Sequence, residues 1–298
     1  MGLAGAEMIG WPRLSYKTMT KRILLLPAAV WTLLFTVFPF VYTLWISTQR
    51  IRLGRPGYFV GMENFAKAFA DYKLSESALG TILFIAVAVP LELILGFAFA
   101  LLFNRDFRGQ GVLRAIMTMP LFATPVGVAY LFTTILYEEG GLVNSLLAPL
   151  GWHPPWLSNP FWARLSVLLV DVWQWTPFCF LVFLAGLQGL PQEVLEAASL
   201  DVVKNRQIVT QVVLPMMAPL IRLVLLLRFI EAAKVFDTPF VLTSGGPGRS
   251  TEVYSLYTFR VGLRFFDLGY AAALSLLLLV AVMIVANLLF RGTREMYD

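Results

Sequence analysis

Charge is what this 298-residue sequence has least of: only 14% of its residues are Asp, Glu, Lys or Arg, and 58% are hydrophobic. Soluble domains carry about 25% charged residues, so a soluble globule of this composition would lack the polar surface to cover its core. A mean hydropathy of +0.75 points the same way. There is one cysteine, Cys179, inside an apolar run, so no disulfide framework is available. The single histidine, His153, sits beside Pro154, Pro155 and Trp156 with no second histidine or cysteine nearby, which argues against a metal site. No glycine is followed by lysine, so there is no Gly-x-x-x-x-Gly-Lys-Ser/Thr loop to cradle nucleotide phosphates. His-Glu-x-x-His and Gly-x-Ser-x-Gly are also missing. These absences give no support to an intramembrane enzyme or a self-powered pump. The net charge of +5 is modest and fits a bias of membrane loops better than nucleic-acid binding.

What is present is a series of long apolar runs. Crossing about 30 Å of hydrocarbon takes roughly 20 helical residues. Six segments reach that length, near 23–46, 81–103, 116–137, 165–184, 216–242 and 268–290. Backbone groups in lipid must bond within their own segment, so these spans are helices. The expected fold is an all-α membrane protein with six transmembrane helices. The first run is too long for a cleavable signal and reads as a retained span. An even number of spans puts both termini on one side. Eleven Lys and Arg fall on that side against eight on the other, with the N-terminal tail and the short Asn104–Arg114 loop the densest. The positive-inside rule then makes both termini cytoplasmic. The expected organisation is a cytoplasmic tail 1–22, a transmembrane domain 23–290 with a cytoplasmic loop 187–215, and a cytoplasmic tail 291–298.

That loop is the one long polar break. Pro191 suits a first helical turn, where its missing N–H is not needed. Glu193 and Glu196 then lie early, where the helix dipole favours negative charge. Glu193-Val-Leu-Glu-Ala-Ala-Ser-Leu200 is a good helix former. A second short amphipathic helix is expected over Lys204–Leu214, stopped by Pro215.

The loop resembles the EAA loop of permease subunits of binding-protein-dependent ABC importers. It matches at Glu196, Ala197, Ala198, Asp201, Leu214 and Pro215, and departs at Val202, where that family has a turn-permitting glycine. Phe59-Val-Gly-Met-Glu-Asn-Phe65, Gly140-Gly-Leu-Val-Asn144, Phe236-Asp237 with Leu242-Thr-Ser-Gly-Gly-Pro-Gly248, and Phe266-Asp-Leu-Gly-Tyr270 are similar, in order and spacing, to stretches of the carbohydrate-uptake branch. The resemblance implies a type I ABC importer permease fold in a prokaryotic inner membrane, with Glu196 to Pro215 coupling it to the engine. It also implies a second similar permease, two cytoplasmic ATPase subunits that bind ATP and Mg, and an external substrate-binding protein. This chain itself would hold no cofactor.

Ionisable residues inside spans are costly and mark cavities or partners. Arg228, Glu231, Lys234 and Asp237 follow at three-residue steps in the fifth span. They form either a salt-bridge ladder along one helix side or, through Glu231, Lys234 and Asp237, the border of a substrate path. Asp171, Trp173, Gln174 and Trp175 in the fourth span are either packing groups or sugar-holding ones. Glu92 reads as a structural hydrogen-bond partner or as a partner of a kink near Pro90. An ion-gradient-driven transporter or channel is the alternative function, but the two halves of the chain do not echo each other as inverted repeats would.

Overall fold

The computed structural model describes residues 18–52, 54, 56–201 and 205–294. Most of the expected N-terminal tail, the end of the C-terminal tail and the turn at Val202 lie outside the described residues. Among those described, five helices are long and apolar enough to cross a membrane: Leu25–Ser47, Tyr72–Phe103, Pro160–Gln188, Arg206–Ala233 and Leu268–Phe290. They are the first, second, fourth, fifth and sixth spans. A sixth crossing arises if Gln110–Phe122 and Pro125–Ile135 count as one, and these two helices are bent by 104°.

Where the helices depart from expectation, local chemistry gives the reason. The second helix starts at Tyr72 because Asp71 caps it, accepting the Lys73 N–H at 3.0 Å; the expected start at 81 counted only the apolar part. The expected 116–137 helix is broken. Met119–Phe122 tightens to 3-10 geometry, Ala123 is extended, and Thr124 caps a new helix whose first residue is Pro125. Pro125 therefore starts a helix and does not kink one. The expected 216–242 helix ends at Ala233. A separate helix, Asp237–Thr243, follows a break at Lys234, Val235 and Phe236. Pro239 lies in the first turn of that new helix, and its ring would have clashed with the Val235 carbonyl had the fifth span run on.

The second and fourth spans form the centre. Gly96 faces Cys179 so closely that a Cβ on Gly96 would lie 2.5 Å from the Cys179 Cβ and 2.9 Å from the Phe180 nitrogen. Phe180, Phe183 and Leu187 of the fourth span continue the contact onto Val213, Met217 and Val224 of the fifth. Gly186 gives the fifth span a similar close seat against Met217 and Leu220.

At the opposite end, Asp71 accepts from the Tyr257 and Tyr270 hydroxyls at 2.5 and 2.7 Å, tying the starts of the second and sixth spans together. Between the broken third span and the fourth, Glu138 accepts the N–H groups of Leu157 and Ser158 and the Ser158 hydroxyl at 2.8–2.9 Å. Partial burial raises this carboxyl's pKa, but those bonds outweigh it and hold it below the usual range. Beside it Trp156 donates to Asn144 and packs edge-on against Trp162. The first span packs on the sixth, yet its most apolar stretch is entirely exposed, with Trp31, Phe35 and Phe38 each more than 60% accessible.

Candidate functional site

The polar break forms a helix over Gln192–Asp201, with Glu193 in its first turn. Leu195 packs inward on the Phe183 and Val213 cluster. Glu196 and Ala197 face outward and Ala198 is half-buried. The Gln192 amide donates to the Glu196 carboxylate at 2.8 Å, and the Ser199 hydroxyl donates to the Glu196 carbonyl at 2.6 Å. Leu200 is 88% exposed, so acid and hydrocarbon share one outward face. Asp201 ends this helix.

The second short helix is not a separate piece. Pro215 does not stop it. The helix that begins at Asn205–Ile208 widens to a π turn over Val209–Val213 and continues as Leu214–Ala233. The Leu214 N–H reaches five residues back to the Val209 carbonyl. This wider ladder accommodates Pro215, which has no N–H to offer. Leu214 is half-buried and Pro215 exposed. The polar break thus lies at the foot of one rod.

Arg228 lies roughly 33 Å up that rod from Arg206, at about 1.5 Å per residue. Its Nε donates to Glu92 at 2.5 Å and its Nη2 to the other Glu92 oxygen at 2.9 Å, while Nη2 also reaches Asp171 at 3.3 Å. The guanidinium carbon stands 4.5 Å from the Trp175 ring centroid. All three charged residues are at most 3% exposed. A fork-to-fork pair of this kind fixes geometry as well as charge. It joins the second, fourth and fifth spans at one point.

Next to it the end of the fifth span opens a cavity of about 280 Å³. It is lined by Asp171, Trp175 and Arg228 on one side, by Glu231, Lys234 and Asp237 at the break, and by Pro125 of the broken third span. Asp171, Glu231, Lys234 and Asp237 therefore come together. Trp173 does not join them: it packs edge-on against Phe132 at 5.2 Å and is 43% exposed. Gln174 is buried and donates to the Ala123 carbonyl at 3.3 Å, pinning the break in the third span.

The ladder expected along the fifth span has one rung, Lys234 to Glu231 at 3.0 Å. Arg228 is taken by other spans, and Asp237 belongs to the next helix. The Arg228–Glu92 pair was the feature missed. Its signal was present in the sequence: a lone carboxylate in an apolar helix requires a cation from elsewhere.

A bundle of apolar helices with a polar cavity at a helix break and an outward acidic helix at the foot of a rod is the membrane-embedded part of a transporter. Residues 92–295 match the family of binding-protein-dependent transport system inner membrane components, and the chain belongs to that family. It is accordingly a non-catalytic, inner-membrane permease subunit of an ABC importer. The ion-driven alternative is not favoured by this membership. The chain is 37% identical over 264 residues to the trehalose/maltose transport system permease protein MalF of Thermococcus litoralis, covering 88% of this chain and 89% of that one. It is 34% identical over 277 residues to the sulfoquinovosyl glycerol transport system permease protein SmoG of Agrobacterium fabrum, covering 91% and 89%. A chain of a bacterial alginate ABC transporter, solved in complex with an alginate pentasaccharide-bound periplasmic protein, superposes with a TM-score of 0.83 at 22% identity, covering 93% of this chain and 95% of that one. At that identity the likeness concerns the fold.

Proposed function

We propose that this chain is one of a pair of permease subunits through which an ATP-driven importer passes a sugar, polyol or related small polar solute delivered by an external binding protein. The named substrates of its relatives support a carbohydrate. The observation that carries the coupling role is the outward Glu196 and Ala197 face at the foot of the rod Arg206–Ala233, whose other end holds the Arg228 triad and the cavity. Two cytoplasmic ATPases, binding ATP and Mg, grip the loop 187–215 there. Glu196 pairs with a basic group of the ATPase, and Ala197, Ala198, Asp201, Leu214 and Pro215 shape the contact. Both termini lie in the cytoplasm. The exposed first span offers apolar surface to the second permease. A push on the foot moves Arg228 and the cavity lining with it, and the cavity bordered by Asp171, Glu231, Lys234 and Asp237 is the substrate path.

The test is uptake and ATP hydrolysis in vesicles holding the full set of subunits, with wild type or Glu196→Lys. Reversing a charge at a paired contact lowers both rates on the order of tenfold or more, while membrane insertion and unfolding temperature stay the same. Undiminished coupling would remove the loop from this role.

A further inference from the structure

The charges around the cavity are matched in a way that bears on what it accepts. Two cations line it, Arg228 and Lys234, and each is already engaged by carboxylates. Arg228 holds Glu92 and Asp171, and Lys234 holds Glu231 at 3.0 Å. Asp237 adds a further carboxylate to the lining.

Resting on the reading that this cavity lies on the substrate path, we propose that it selects uncharged, hydroxyl-rich rings and turns away anions. In this role Arg228, already matched by Glu92 and Asp171, is not an anion site, and Asp237 sets the charge discrimination. An acidic sugar or a phosphate ester would lie beside Asp171, Glu231 and Asp237, while both lining cations, Arg228 and Lys234, are already paired with carboxylates among the described residues. A neutral ring meets acceptors on the carboxylates and the Trp175 side chain in the wall. The volume of about 280 Å³ lies at the small end for ligand sites and suits a solute passed one or two rings at a time.

Glucose and glucuronate share a ring and differ by one carboxylate. Saturation-transfer NMR on the purified transporter, with its partner permease and ATPases but without the binding protein, reads their contact with the membrane subunits directly. Wild type should bind glucose and bind glucuronate at least tenfold more weakly. Asp237→Asn, and separately Glu231→Gln, which frees Lys234, should each narrow that ratio by about tenfold, the scale of one unit charge at about 6 Å in a half-hydrated site. Equal binding of the two probes by wild type, no detectable glucose contact, or a ratio unmoved in both variants would overturn the inference. Vesicle uptake that still responds to Glu196→Lys in such a case would leave the permease reading standing.

Discussion

Arg228→Met is the sharpest perturbation the structure offers. The substitution keeps a long apolar side chain but removes the only cation touching Glu92 and Asp171 among the described residues. Those carboxylates are 0% and 3% exposed, so water cannot readily replace the guanidinium. Breaking a buried pair by removing one member costs about 3–5 kcal/mol. At about 2.1 cal/mol/K per residue, a chain of this length moves its unfolding temperature by roughly 1.6 °C per kcal/mol, so Arg228→Met should unfold about 5 °C or more below wild type. A thermal ramp of the assembled transporter, followed by tryptophan emission, reads this, because Trp175 lies against the guanidinium. Replacing the whole cluster should behave differently. Glu92→Leu and Asp171→Leu added to Arg228→Met leave no charge stranded, and apolar replacement of a buried cluster is neutral or stabilising. The triple variant should recover most of the lost temperature while transport is lost, since Arg228 and Asp171 leave the cavity lining. A single variant that unfolds within a degree of wild type, or a triple variant as unstable as the single, would refute the reasoning.

Gly96→Ala should destabilise by about 1–3 kcal/mol through overpacking, seen as a lower unfolding temperature. Adding Cys179→Ser should not rescue it, because the atoms in the way are the Cys179 Cβ and the Phe180 nitrogen. At Glu138 the folded pKa is depressed, so its contribution is fully present above the ordinary glutamate value of about 4.3 and is lost as pH falls through the lower folded value. Hydrogen exchange at Leu157 and Ser158 should therefore accelerate in acid, beyond the intrinsic pH trend, in wild type but show no such step in Glu138→Gln.

The long apolar runs made the second, fourth and sixth spans legible, because twenty apolar residues permit few other readings. The third and fifth were misjudged at prolines. Pro125 and Pro239 start helices and Pro215 lies inside one, and which of these a proline does depends on the hydrogen-bond ladder around it. The sequence flagged the intramembrane charges correctly as costly. It paired Arg228 with its chain neighbours because spacing along one helix is all that periodicity reveals. Glu92 lies 136 residues away in sequence, and only the packing of the second span on the fourth and fifth brings it within reach. The cavity gathers four of the six residues expected on a substrate path. Trp173, two residues beyond Asp171, points to another side of the helix, and Gln174, three residues beyond it, is spent on the Ala123 carbonyl.

The glycine seats at Gly96 and Gly186 bear on how a machine of this kind can move. With main chain pressed on side-chain stems, the second and fourth helices cannot slide past each other without first separating, and the fifth is keyed to them by Met217 and Leu220. The three therefore travel as a single block, with the Arg228 cluster as its bolt. Freedom to open and close belongs to what surrounds that block: the severed third helix, the short Asp237–Thr243 segment and the outlying first helix. On the coupling proposed above, a stroke delivered at Glu196 tilts an anvil, and the gate is whatever the anvil swings against.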